Sequence, residues 1–537
     1  MTATLVERAA PRTPAHRPPA PPPVPAGRPW WPVWAAAAAA VLLRLPFVAA
    51  PPGPDEGGYL AVAAQWRPGP SLYGAYWVDR PPLLVSIFWV ADHAGGIVAL
   101  RLLGCLAAAV AVLVVGLTAQ RLAGRGPAAL AAVVAAVLLA SPMAGAGPVN
   151  GELLAAPFTA GGIALAVLAL RPARVPALAT GPTPTRFAVP WAAVGAGACT
   201  AAAVLVKQNL ADAAVFGALT WVLAWRWGRI SSRRLGALVA GAVAGAAAFT
   251  SVVAVWTVAH GTSLGGVWYA MYPFRLRASH VSTVLISQEL QHRLAVMGAL
   301  WLGSGTPLLM LALAWMVAGP RRRDPVAWGL LGTVGFAVVS ILAGGSYWAH
   351  YLVELAVPVA LGTSLAVRGR PRSTTSLVAL VVVTAAVAWS HVLVARDVTP
   401  GAVTGSSIAR VAHPRDTLIS LLGSANTVRT SGLHSPYPYL WSLPARTLDT
   451  QKSLLKRVLR GPHAPTWLIA SVHGRATRPH HGTLGPVVRA DYHLVARMCG
   501  RSVYLHDGLR RDTPTSRGCS GPSPLTDLAR QWHGAAH

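Results

Sequence analysis

Arg44-Leu45-Pro46-Phe47-Val48-Ala49-Ala50-Pro51-Pro52-Gly53-Pro54-Asp55-Glu56-Gly57-Gly58-Tyr59-Leu60 takes the chain out of an apolar run and straight into two adjacent acids. The run that it closes, Trp30 to Ala50, is about long enough to cross a bilayer. The acids therefore stand just beyond a first membrane span. The chain as a whole repeats this contrast. Of 537 residues, 54% are hydrophobic and only 12% charged, with mean hydropathy +0.49. A soluble chain carries about 25% charged residues. Composition therefore excludes a soluble enzyme and an intrinsically disordered chain.

The formal net charge of +28 would suggest a nucleic-acid partner in a soluble protein. In a membrane protein, cations flank the spans on the cytoplasmic side, so the charge must first be sorted by loop. Apolar stretches recur at about eleven places, at 30–50, 97–119, 127–146, 152–170, 188–206, 209–225, 235–258, 294–318, 325–343, 350–367 and 374–395. Alternate breaks between them hold Arg121/Arg125, Arg171/Arg174/Arg186, Arg226/Arg229/Arg233/Arg234, Arg321/Arg322/Arg323 and Arg368/Arg370/Arg372. These read as cytoplasmic loops. Residues 1–29, rich in Pro, Ala and Arg and without an apolar core of their own, read as a disordered cytoplasmic tail. Residues 30–396 form the expected membrane domain. Residues 397–537 then fall outside, as a small extracytoplasmic α/β domain.

The other breaks carry most of the membrane region's acids. Asp55, Glu56, Asp79, Asp92, Glu152, Asp212 and Glu289 map to outer loops or outer span ends, and Glu354 lies one turn inside a span. Asp55-Glu56 also suits a helix start, where acids oppose the dipole. On a helix, neighbouring side chains diverge by about 100°, so one carboxylate can face substrate while the other fixes structure or a cation. Arg80 precedes Pro81-Pro82, which stiffens the backbone around a candidate phosphate ligand; a local ion pair with Asp79 is the simpler reading. Lys207 is the only lysine before Lys452 and interrupts an apolar stretch beside Gln208, so phosphate binding is expected of it. Arg275, in an aromatic outer segment, and His350-Tyr351, one turn before Glu354, are further candidates.

In order, Arg44-Leu45-Pro46-Phe47, Asp55-Glu56 with Tyr59, Arg80-Pro81-Pro82, Arg101, Asn150 with Glu152, Lys207-Gln208 and His350-Tyr351 resemble the GT-C glycosyltransferases of the protein O-mannosyltransferase and aminoarabinose-transferase type. Arg80 stands where that superfamily more often has Lys. The resemblance covers most of the membrane part. It implies transfer of a sugar from a polyprenyl-phosphate carrier to a protein, lipid or glycan acceptor on the outer face of the plasma membrane. On this reading Asp55 is the base of an inverting displacement and Glu56 orients the site. Arg80, Lys207 and Arg275 hold the donor phosphate, with Tyr59, Glu152, Gln208, His350 and Tyr351 around the substrates. Adjacent carboxylates cannot flank a sugar from both faces, which disfavours a retaining mechanism. No cofactor is required, although an Asp-Glu pair can serve with or without a divalent metal.

The C-terminal part alternates short apolar runs, Thr417 to Leu422, Thr466 to Ser471, Tyr492 to Met498 and Ser502 to His506, with an amphipathic helix, Gln451 to Arg460, stopped by Gly461. Cys105 and Cys199 lie in apolar spans, whereas Cys499 and Cys519 lie outside, where an oxidising compartment favours a disulfide. No nucleotide motif or zinc-ligand spacing occurs. The rival from another class is a transporter or flippase of a lipid-linked substrate. It would call for inverted repeats and charges near the bilayer midplane, and neither is visible.

Overall fold

Long Ala/Val/Leu runs interrupted by Arg or Pro-Gly breaks fold as helices, and these dominate the chain. The computed structural model describes residues 31–145, 147–170, 191–285, 287–394, 399–421, 423–471, 484–516 and 519. The expected tail 1–29 and the Arg171/Arg174/Arg186 loop lie outside these residues, as does the side chain of Glu289. The protein is a mainly helical, multi-pass membrane protein with a small mixed sheet near its C-terminus.

Each of the expected spans falls on a helix, but length and apolarity alone do not support eleven crossings. Among the described residues six helices are long and apolar enough, or up to seven if Leu290–Gly303 and Thr306–Ala318, bent by 66°, form one span. Among the described residues the helices Trp31–Arg44, Arg125–Ala140 and Trp191–Val206 cover 14, 16 and 16 residues. Outward-facing apolar side chains recur at helical spacing. Leu102, Leu106 and Val110 lie on one helix, Val239 and Val243 on another, and Leu380, Val383 and Val387 on a third, all exposed. Such stripes suit a lipid environment rather than water. Two loop arginines tie neighbouring segments together through backbone carbonyls. Arg368 reaches the Leu122 carbonyl at 3.4 Å and Arg229 reaches that of Arg323 at 2.5 Å.

The long connection after the first helix folds into two helices, Pro54–Ala64 and Pro82–His93. The C-terminal part contributes strands β1 (Leu418–Ser420), β2 (Trp467–Ser471), β3 (Tyr492–Met498) and β4 (Arg501–His506), in the order β1-β2-β4-β3, with only β1 and β2 parallel. Cys499 and Cys519 are joined by a disulfide, with Cα atoms 4.8 Å apart.

This C-terminal part docks directly on that connection. Its helix Ala425–Ser431 lies across Pro54–Ala64 at Gly57 and Gly58. A Cβ at Gly57 would stand 2.6 Å from Asn426 Cα, and one at Gly58 2.3 Å from the Trp441 ring. The two glycines are therefore needed for close approach rather than for flexibility. Asn426 donates to the Pro52 carbonyl at 3.0 Å, Arg429 pairs with Asp92, and the Tyr76 hydroxyl bridges His434 Nδ1 and the Ser435 amide.

Asp416 anchors the sheet. Its carboxylate accepts from Arg511 at 2.6 and 2.9 Å, from the Trp467 indole at 3.1 Å and from the His413 amide at 3.0 Å. Burial alone would raise its pKa, but the bonds from Arg511, His413 and Trp467 outweigh this and hold it below the usual aspartate value. A carboxylate depressed on folding stabilises the fold above its unfolded pKa, about 3.9, and this contribution is lost as pH falls through the folded value. Thermal unfolding of the full chain should therefore lose stability below about pH 4, and Asp416→Asn should lower stability at pH 7 while flattening that acid limb. An Asp416→Asn profile parallel to wild type from pH 7 to pH 2 would contradict this role.

Candidate active site

Pro54 at the first helical position and Gly53 before it start the helix Pro54–Ala64. Asp55 and Glu56 fall in its first turn, on diverging directions. Glu56 turns inward and is fully buried. Its Oε1 accepts from Arg101 Nε at 3.0 Å and the Val149 amide at 2.8 Å. Its Oε2 accepts from Arg101 at 2.8 Å and the Gly53 amide at 2.9 Å, the latter closing the helix start. Two acceptor sites on each oxygen are thus filled. Glu56, expected to orient the site, is the acid that fixes structure: its lone pairs are taken by these donors and it does not line the cavity beside it. Arg101 also donates to the carbonyls of Phe47 and Pro51, which ties the end of the first apolar run to the same point.

Asp55 turns outward into a cavity of about 370 Å³, lined among others by Tyr59, Asp79, Arg80, Arg275, Tyr351, Trp441 and Arg446. Its Oδ1 accepts from the Trp441 indole at 2.9 Å. Asp79 spans two cations: Oδ1 lies 2.9 Å from Arg80 and Oδ2 3.1 Å from Arg275. Burial works against the Arg80 charge, yet Asp79, Tyr59 and Asp55 hold its pKa well above the usual arginine value, so it stays cationic. The Arg80 guanidinium lies 5.6 Å from the Tyr59 ring centroid, and the Trp441 ring packs 5.1 Å from Tyr59. Burial, with Arg80 pulling against it, pushes the Tyr59 phenol well above its ordinary range and keeps it protonated. Arg275 Nε is buried without an acceptor among the described residues.

A second cavity of about 490 Å³ adjoins the first and shares Arg275, Tyr351, Ser346, Leu290 and Leu443 with it. Lys207 and Gln208 line only this one. Lys207 is not free to meet an anion unaided. Its ammonium is paired with the buried Glu152 and sits 4.1 Å from the Tyr351 ring centroid. His350 Nε2 lies 3.9 Å from the same Glu152 oxygen. Glu152 and His350 line neither cavity and form the wall behind Lys207 and Tyr351. The structure thus brings Asp55, Tyr59, Arg80, Arg275 and Tyr351 together, and sets Lys207 and Gln208 next door.

Sequence reasoning missed Trp441 and Arg446. Only the aromatic segment Tyr437 to Trp441 hinted at the first, and nothing local ties it to an aspartate 386 positions away. Asp79, read as a local partner of Arg80, in fact also holds Arg275. Among the described residues no group of three or more His, Cys, Asp or Glu stands together in a metal-holding arrangement.

No family profile and no curated protein matches the chain. Among solved structures, ArnT from Cupriavidus metallidurans bound to undecaprenyl phosphate aligns with TM-score 0.56 at 16% identity, over 91% of this chain and 98% of that one. Its apo form aligns with TM-score 0.54 at 15% identity, over 88% and 97%. The archaeal oligosaccharyltransferase AglB from Archaeoglobus fulgidus, in complex with an inhibitory peptide and a dolichol-phosphate, aligns with TM-score 0.51 at 12% identity, over 89% and 74%. The chain has the fold of these GT-C membrane glycosyltransferases.

The two acids should separate cleanly by measurement. Removing one partner of a buried ion pair costs about 3–5 kcal/mol, so Glu56→Ala should markedly lower the unfolding temperature of the detergent-purified protein. Asp55→Asn, whose amide oxygen still accepts from Trp441, should leave it within about 0.5 kcal/mol of wild type. Equal losses in the two variants would contradict the division of roles.

Proposed function

We propose that this protein is a glycosyltransferase that moves a hexosyl or pentosyl group from a polyprenyl-phosphate carrier to an acceptor on the extracytoplasmic face. The observation that carries the reading is the grouping of an outward-turned carboxylate, Asp55, with Arg80 and Arg275 in one cavity. The shared fold supports it, since one structure with that fold has undecaprenyl phosphate bound and another a dolichol-phosphate. On this reading the chain crosses the membrane eleven times, with residues 1–29 inside and residues 397–537 outside. The arginine-rich loops support that orientation.

In the proposed reaction Asp55 takes the proton from the acceptor's nucleophilic atom as that atom attacks the anomeric carbon. The carbon–oxygen bond to phosphate breaks with inversion, and the electron pair leaves on the phosphate oxygen. Arg80 and Arg275 share Asp79, and Arg293 and Arg446 also line the cavity, so four guanidiniums face the two carboxylates Asp79 and Asp55 and leave a net positive charge to stabilise that oxygen. The unpartnered Arg275 N–H is a donor still seeking an acceptor, as a phosphate oxygen would be. Tyr59 and Trp441 hold Arg80 and Asp55 in place. Lys207, matched by Glu152, holds Tyr351 and the wall between the cavities rather than the phosphate.

Purified protein incubated with a panel of polyprenyl-phosphate sugars and acceptors should release polyprenyl phosphate. Asp55→Asn should lose about 10²–10⁴-fold in turnover without losing stability. Undiminished release by that variant would overturn the assignment of the base. Trp441→Phe keeps the ring but removes the donor to Asp55. It should lower kcat while leaving the unfolding temperature near wild type, because the ring packing stays and only the bond that holds Asp55 in place is lost. An unchanged kcat would make Trp441 only a packing residue.

A further inference from the structure

The second cavity has a polarity opposite to the first. Guanidiniums dominate around Asp55, whereas around Lys207 and Gln208 the unmatched groups are acceptors. Asn209, also on its lining, donates to Ser340 Oγ at 2.8 Å and to Glu354 Oε2 at 3.1 Å. Both hydrogens of that amide are then engaged, and Glu354 is fixed by one oxygen. Its other oxygen, Oε1, has no hydrogen-bond partner among the described residues, although Glu354 is only 7% exposed and lines the cavity. Gln208 Oε1, on the same lining, is likewise buried without a donor. Asp212 is also buried with both oxygens unpartnered, but it does not line the cavity.

A buried acceptor without a donor is costly, and a native structure that keeps two of them on one cavity wall implies a ligand that supplies donors. Lys207 does not supply one, being paired with Glu152 and packed on Tyr351. Tyr347, lining the same wall, holds φ at +53°, a region that L side chains rarely adopt, and it follows Gly345 at +65°. Volume agrees as well, since about 490 Å³ is within the usual range for a small-molecule site.

We propose that Glu354, fixed by Asn209 and Ser340, forms with Gln208 a subsite that accepts hydrogen bonds from the hydroxyl groups of the carried sugar, while the carrier's phosphate lies at Arg275 between the two cavities. This rests on the function proposed above and adds to it a division of labour: guanidiniums recognise the carrier, carboxylate and amide oxygens recognise the sugar. Arg275 suits the junction because it lines both cavities. The subsite would also give selectivity, since a site built to accept from a hydroxyl rejects an analogue that lacks it.

The test compares glycosylated with bare carrier. Affinities of the full-length protein in detergent are measured for undecaprenyl phosphate and for its mannosyl, glucosyl and arabinosyl esters. Wild type should bind at least one ester more tightly than undecaprenyl phosphate. In Glu354→Gln the amide oxygen stays on Asn209 and an NH₂ replaces the free acceptor. That variant should lose roughly ten- to hundredfold in affinity for the favoured ester, with affinity for bare carrier unchanged. Gln208→Met, of similar length and without an acceptor, should act in the same direction and guards against misfolding of the first variant. Equal loss for ester and bare carrier, or no loss for either, would overturn the subsite, as would a wild type that prefers none of the esters. Failure of wild type to bind even bare undecaprenyl phosphate would instead overturn the functional reading, and the subsite with it.

Discussion

The buried pair of Glu56 with Arg101 fixes where everything else at this end of the protein can be. Arg101 lies on the long helix Ile97–Ala123, Glu56 at the start of Pro54–Ala64, and between them they also hold Phe47, Pro51, Gly53 and Val149. A carboxylate so deep survives only because each of its lone pairs meets a donor and its charge meets a guanidinium. One consequence is rigidity at the helix start. The other is direction: with Glu56 pinned inward, the neighbouring Asp55 must turn outward into the cavity.

The C-terminal part completes the same constraint from the other side. Gly57 and Gly58 let Ala425–Ser431 and Trp441 lie directly on Pro54–Ala64, which brings an indole N–H to Asp55 from the far end of the chain. The cavity is therefore a joint product of the long helices, the helices Pro54–Ala64 and Pro82–His93 with the loop between them, and the C-terminal part. Its electrostatics follow from this meeting, with Asp79 serving Arg80 and Arg275 while Arg293 and Arg446 outnumber the remaining carboxylate, Asp55.

Much of the architecture was legible in the residues. Apolar runs marked helices because length and hydropathy are local properties, and the short runs Tyr492 to Met498 and Ser502 to His506 became β3 and β4. The span count was less legible. Ala-rich runs such as Arg125–Ala140 are apolar enough but end after 16 residues, and periodicity does not register such breaks. The acid pair was visible as a feature, yet its two members were indistinguishable in sequence, because what separates them is Arg101, 45 positions further on. Lys207 looked like a free cation for a phosphate, since nothing near it in the chain announces Glu152 as its partner.

The sequence by itself determined that this is a multi-pass membrane protein with scarce charges held in reserve, because hydropathy and charge placement need no knowledge of neighbours. It also determined which residues were worth watching, since Asp, Glu and Lys are rare in such a background. Only the tertiary structure decided which of them face a cavity and which are spent on one another. That choice depends on who stands opposite whom across tens to hundreds of residues. A buried charge is defined by its partner, and the partner is a property of the fold.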